Sequence, residues 1–254
     1  MTLLAVDGLT KRFGGLVAVN KVDLEIAAGS ITAVIGPNGA GKTTLFNLIS
    51  GSIVPDEGRV ILEGGDITGW KPYQIAREGV SRTFQTTALF EELPVWVNLV
   101  IGHRMRTRSG LWDALLRTPR AVRERKETTR KVLEVLDFTG LSEYADATAG
   151  SLPQEAQKRL AIAVALVGQP KLLLLDEPTG GVGLEETGAI IALIDRVRAS
   201  GVTVCVIEHK MRMIMDLADH IAVLNFGVKI ADGDPQQVCQ DPAVIEAYLG
   251  ECLA

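Results

Sequence analysis

Apolar and polar positions change their spacing several times along this chain. Residues 3–30 read as short strands with a turn at Phe13-Gly14-Gly15, and Val22-Asp23-Leu24-Glu25-Ile26 alternates with period two, as an edge strand does. Ile31-Thr32-Ala33-Val34-Ile35 is β-branched and mostly apolar, which predicts a buried strand, and Leu45-Phe46-Asn47-Leu48-Ile49 opens a helix-like pattern. Asp56-Glu57-Gly58 leads into Arg59-Val60-Ile61-Leu62 and then Glu63-Gly64-Gly65-Asp66, the signature of a hairpin. From about Leu89 to Val167 the helical period dominates. Strand-like runs return at 172–175, 202–207 and 220–224, with a helix over 186–199 between the first two. Alternating β and α elements on either side of a helical block predict an α/β fold, a mainly parallel sheet carrying a helical insertion.

Between the first buried strand and its helix, residues 36–44 read Gly-Pro-Asn-Gly-Ala-Gly-Lys-Thr-Thr. The pattern G-x-x-x-x-G-K-[ST] falls on Gly36, Gly41, Lys42 and Thr43 in the strand–loop–helix context that it requires. Glycines let successive backbone N–H groups turn toward one anion, and the helix N-terminus adds partial positive charge. Lys42 would reach the β- and γ-phosphates and the Thr43 hydroxyl would sit on Mg²⁺. The stretch predicts a nucleoside-triphosphate site.

Composition adds limits. At 254 residues, with 47% hydrophobic and 22% charged positions, the chain can bury a sizeable core. A net charge of −5 gives no global reason to expect nucleic acid as a partner. Cys205, Cys239 and Cys252 form no C-x-x-C pair, which points to reduced thiols and away from a zinc site, with Cys205 a buried core thiol. No basic-then-apolar leader opens the chain and no run approaches membrane-spanning length. Any action at a membrane is expected through partners. Residues 103–131 carry ten Lys/Arg against three acids, which a solvated helical face explains more simply than an anion- or membrane-facing patch.

A second constellation follows downstream. Leu172-Leu173-Leu174-Leu175-Asp176-Glu177-Pro178 is a buried strand ending in two carboxylates. With a phosphate loop upstream, Asp176 suits the metal and Glu177 suits the water that attacks the γ-phosphate. Thr203–Ile207 runs into Glu208-His209, on the edge where parallel sheets bind ligands; taken alone, His209 is equally a structural side chain. Gln85, in Ser81-Arg82-Thr83-Phe84-Gln85, would be unremarkable by itself.

The order of these pieces, 36–44, Thr83-Phe84-Gln85, 172–178 and Ile207-Glu208-His209, resembles the nucleotide-binding domain of ATP-binding-cassette transporters over nearly the whole chain. Arg12-Phe13-Gly14-Gly15-Leu16-Val17-Ala18-Val19-Asn20, Val80–Gln85 and the ending Ala247-Tyr248-Leu249-Gly250-Glu251 narrow it to the ATPase subunits of branched-chain amino-acid importers. The resemblance implies a P-loop NTPase core of ABC type over 1–85 and 165–254, including an N-terminal antiparallel β-subdomain, with a helical subdomain at 86–164. It implies ATP and Mg²⁺ as ligands. Gly36, Pro37, Asn38, Gly39, Ala40, Gly41, Lys42, Thr43 and Thr44 would bind the nucleotide, with Phe13 stacked on adenine. Thr43, Gln85 and Asp176 would hold the metal, and Glu177, His209, Gln85 and Lys42 would act in catalysis. The implied partners are a second cassette ATPase, two transmembrane permease subunits that dock on residues 86–150 and, indirectly, a solute-binding protein. The implied location is peripheral, on the cytoplasmic face of the plasma (inner) membrane.

The sequence departs from the family where one subunit's signature, usually Leu-Ser-Gly-Gly-Gln, meets the partner's ATP. Here that position reads Leu152-Pro153-Gln154-Glu155-Ala156. The serine hydroxyl and both glycines are gone, Pro153 has no N–H, and Glu155 would bring a carboxylate toward a γ-phosphate. The helix that follows is expected to be sound, with Ser151 and Gln154 as a capping box and Pro153 at its first position. Gly183 stands where the family usually carries Asp or Asn. These departures point to a heterodimer with one weak site. A soluble ATPase uncoupled from transport, a regulatory subunit without turnover, and an importer of urea, amides or aromatic acids are the alternatives.

Overall fold

A computed structural model describes residues 1–83, 89–104, 118–209 and 211–249. Two sheets organise it. In the first, β1 (Thr2–Phe13), β2 (Leu16–Ala27), β4 (Glu57–Leu62) and β5 (Gly65–Asp66) are antiparallel in the order β2-β1-β4-β5. In place of several short strands, residues 2–27 make two strands of 12 residues each, turning where Phe13-Gly14-Gly15 predicts. Bulges along this pair break the alternation that a sequence reading would need to see one long strand.

The second sheet has the order β10-β9-β3-β8-β7-β6. Its strands β3 (Ile31–Ile35), β6 (Val80–Arg82), β7 (Leu172–Asp176), β8 (Thr203–Ile207) and β9 (His220–Asn225) run parallel, and β10 (Val228–Gly233) returns antiparallel at the edge. Every residue of β3, β7 and β8 is buried, because both faces are covered. Alternate side chains enter different cores. Val34, Leu172, Leu174, Cys205 and Ile207 pack toward the antiparallel sheet and α1 (Lys42–Ile49). Ile31, Ala33, Ile35, Leu173, Leu175, Val204 and Val206 pack on the other face, with Ile190, Leu193, Ile194 and Val197 of the helix Leu184–Ala199. The helix α2 (Pro72–Glu78) precedes β6.

A third core lies within the predicted helical block. Val95 and Leu99 from α3 (Val95–His103), Val132 and Leu136 from α4 (Pro119–Phe138), and Leu160 and Ala163 from α5 (Gln154–Leu166) form its centre. Leu152 and Ala156, at the two ends of the altered signature, belong to this core as well.

The expected capping box on α5 is not formed. Pro153 is itself the N-cap, without a side-chain cap bond, and Ser151 ends a 3₁₀ turn (Ala149–Ser151) with its Oγ donating to the Thr148 carbonyl. That short turn consumes the hydroxyl which an S-x-x-Q pattern would assign to the helix. β6 and β10 are additions to the sequence expectation.

Candidate active site

The loop between β3 and α1 closes around tight backbone approaches. Gly36 has φ 148°, and a Cβ there would lie 2.0 Å from the Leu224 carbonyl oxygen; at Gly41, φ 101°, it would lie 2.4 Å from that of Ala18. Only glycine fits either position. Gly41 is the N-cap of α1 and supplies no side chain to its first N–H groups, which suits an anion. Lys42 is buried, and its Nζ donates to the carbonyls of Gly36 at 2.6 Å and Pro37 at 2.8 Å, so the ammonium is held against the loop it serves.

A cleft of about 440 Å³ opens beside this loop. Asn38, Gly39, Ala40, Gly41, Lys42, Thr43 and Thr44 line one side, and Phe13, Leu16, Val17 and Ala18 from the β1–β2 hairpin another, with Glu177 and Phe226 also present. Phe13 is 46% exposed, unusual for its type and consistent with a stacking surface. Phe226, on the turn from β9 to β10, is more exposed still, and that turn is tied to the loop by Gly227 N–H donating to the Ala40 carbonyl. Its signal in the sequence was an apolar residue beside a turn glycine.

Asp176 and Glu177 leave the C-terminal end of β7 in opposite environments. The Asp176 side chain is only 1% exposed; its Oδ2 accepts from Arg82 Nη2 at 2.9 Å, while Oδ1 receives no hydrogen bond among the described residues. Burial pushes the Asp176 carboxyl above its usual range; the Arg82 hydrogen bond and charge oppose that, Glu177 adds to it and Lys42 counters it. A buried carboxylate oxygen without a donor is the chemistry a divalent cation accepts. Thr43, at the start of α1, is exposed on the cleft.

Glu177 sits at φ 48°, a left-handed conformation rare for a residue with a side chain, and its N–H donates to the Ile207 carbonyl at the end of β8. Two residues on, His209 places Nδ1 3.9 Å from Glu177 Oε1. Between them in sequence, Glu208 is fully buried and accepts from both N–H and Oγ1 of Thr179, at 3.0 and 2.6 Å. The strand that carries His209 thus holds the loop that follows Glu177.

Of the expected residues, Phe13, Asn38, Gly39, Ala40, Gly41, Lys42, Thr43, Thr44 and Glu177 share the cleft. Gly36 and Pro37 lie behind it with their carbonyls on Lys42, Asp176 adjoins it through Glu177, and His209 reaches it through Glu177. Gln85 lies outside the described residues. Arg82 and Glu208 went unrecognised, because charged side chains are read as exposed unless their partners are known.

The family model for ABC transporters matches residues 19–180, and that for branched-chain amino acid ATP-binding cassette transporters matches residues 228–251. The chain belongs to the ABC transporter family. It is therefore a transport ATPase, and its fold is that of an ATP-binding cassette. This cassette is 42% identical over 250 residues to the high-affinity branched-chain amino acid transport ATP-binding protein BraF of Pseudomonas aeruginosa, with 98% of each chain covered. It is 43% identical to LivG of Escherichia coli K12, again with 98% of each covered. Among solved structures, a nucleotide-free ATP-binding cassette from an ABC transporter superposes with a TM-score of 0.86 at 34% identity, covering 98% of this chain and 99% of that one. A cassette in its ADP conformation gives 0.86 at 33%, with the same coverage. No helix among the described residues is long and apolar enough to cross a membrane.

Proposed function

We propose that this cassette is the ATP-hydrolysing subunit of an importer for branched-chain or related small amino acids, held on the cytoplasmic face of the inner membrane by two permease subunits. One observation carries the reading: the phosphate loop, Glu177 and the Phe13 hairpin surround a single cleft in a chain whose C-terminal segment matches the branched-chain family. Similarity to BraF and LivG supports the choice of solute.

Catalysis rests on positioning and charge. The loop N–H groups and the α1 terminus hold the phosphates, and Lys42 leaves its two carbonyls to offset charge at the β- and γ-phosphates. Glu177 accepts a proton from the attacking water, and its strained backbone fixes where the carboxylate sits. His209, beside it, donates toward the γ-phosphate. Mg²⁺ would be held by Thr43 and Asp176 Oδ1, with Gln85 as a further proposed ligand, and would neutralise phosphate charge.

The permease is proposed to use the helical region of residues 86–150 together with an apolar groove of about 290 Å³ beside it, whose lining includes Ile75, Val80, Leu89, Ala161 and Val164. A second cassette is proposed to complete each site across a hetero-pair. The missing serine hydroxyl and the absent N–H of Pro153 support a weak site on the partner's phosphate loop. Glu155 does not, since Arg159 neutralises it within the same helix.

Co-expression with permeases and a second cassette tests this reading. The account expects a stable complex whose ATPase is stimulated by solute-loaded binding protein and is lost far more with Glu177→Gln than with the same change in the partner cassette. Equal losses would remove the asymmetry, and vigorous hydrolysis that ignores the permeases would favour an ATPase uncoupled from transport.

A further inference from the structure

Arg82 is the last residue of β6, and its side chain is 6% exposed beside an Asp176 that is 1% exposed. Burying two charges carries a desolvation cost that one contact rarely recovers, so a guanidinium at this depth needs several partners. It has them. Nη2 donates to Asp176 Oδ2 at 2.9 Å, and Nη1 donates to Asn47 Oδ1 at 2.6 Å and to Ser50 Oγ at 3.2 Å. The guanidinium carbon lies 5.7 Å from the centre of the Phe46 ring, within cation–π range.

The spacing of these partners gives the arrangement its meaning. Thr43, Asn47 and Ser50 are four and three residues apart, so they share one face of α1 and its C-cap. The cation therefore grips, on one side, the helix face that begins with Thr43 and, on the other, the carboxylate that ends β7. Those are the two described side chains read above as metal ligands, one from each of two elements far apart in sequence.

We propose that Arg82 is a positioning residue for the divalent cation: a strut that sets the separation of Thr43 and Asp176 and ties up Asp176 Oδ2, leaving Oδ1 as the single coordinating oxygen. The proposal rests on the reading of Thr43 and Asp176 as ligands. Lysine cannot take the role in full. A guanidinium presents several N–H groups in a rigid fork, which reaches a carboxylate, an amide and a hydroxyl at once, whereas an ammonium is a point charge on a flexible stem.

Mn²⁺ affinity of the full-length protein, measured by electron paramagnetic resonance with a non-hydrolysable ATP analogue bound, tests this. ATP affinity in EDTA and the melting temperature are measured alongside. Removing a group that orients a metal ligand typically costs about 10–100-fold in metal affinity. Arg82→Ala should weaken Mn²⁺ binding by about that factor while changing metal-free nucleotide affinity by less than about threefold, and Arg82→Lys should recover part of the loss. A folded Arg82→Ala protein that binds Mn²⁺ as tightly as wild type overturns the proposal. So does a proportional loss of metal-free nucleotide binding, which would make Arg82 a general support of the loop. Should Arg82→Ala fail to fold, the double change Asn47→Ala with Ser50→Ala decides, because it cuts the strut at α1 and keeps the ion pair. Weaker Mn²⁺ binding supports the strut and unchanged binding contradicts it. Unchanged Mn²⁺ affinity in Asp176→Asn would locate the failure in the ligand assignment itself and end the proposal with it.

Discussion

Arg159 Nε lies 2.7 Å from Glu155 Oε1, one turn apart on α5, and Arg159 Nη2 donates to Glu155 Oε2 at 3.0 Å. The same guanidinium donates to the carbonyls of Thr139 and Gly140, just past the end of α4. The altered signature therefore begins a helix whose first acidic residue is neutralised from within, and Arg159 also closes the C-terminus of a neighbouring helix. Arg159→Met should lower stability by about 2 kcal/mol, since it strips two carbonyls of a donor and leaves a mostly buried carboxylate unpaired. Glu155→Gln should cost about 1 kcal/mol or less. Denaturant melts compare the two, and the reverse order would contradict the pairing.

Binding and turnover should separate at two residues. Lys42→Ala should weaken ATP binding itself, because the loop loses its only buried cation among the described residues 36–44. Glu177→Gln should retain ATP and slow hydrolysis by about 10²-fold or more, the usual worth of a positioned base. Nucleotide affinity and single-turnover rates, measured on both variants, distinguish these roles.

The fully buried Glu208 should matter through Thr179. Glu208→Ala leaves the Thr179 N–H and hydroxyl without their acceptor and should cost about 2–3 kcal/mol, whereas Glu208→Gln keeps an acceptor and should cost less. Thermal unfolding of the two variants checks the difference.

Cys205, fully buried in β8, has its thiol pushed far above the usual range by burial. It should resist alkylation at pH 8 until the protein unfolds, so its labelling rate should track denaturant rather than pH. Prompt labelling of Cys205 in the folded protein would contradict that burial.

Much of this was legible in the chain. β3, β7 and β8 are sheltered on both faces, so they read as continuous apolar runs, and the loop glycines announce themselves because no other residue fits the carbonyls of Leu224 and Ala18. β6 was not legible, because Val80-Ser81-Arg82 is only three residues long and owes its pairing to β7. Arg82 and Glu208 were hidden for one reason: their burial depends on Asp176 and Thr179, 94 and 29 positions away. The capping box failed because a 3₁₀ turn claimed Ser151 first. Glu155 reads as a misplaced charge in the signature alone, because the cation that neutralises it, Arg159, lies one helical turn further along.

The central claim is that hydrolysis at this chain's own site drives solute uptake. The most direct test is uptake of radiolabelled leucine into vesicles carrying the whole transporter with ATP inside, comparing wild type with Glu177→Gln in this subunit alone. The account predicts uptake and hydrolysis falling together by about 10²-fold while the variant still binds ATP. Uptake that stays within about twofold of wild type, with Glu177→Gln confirmed in the assembled complex, would contradict it.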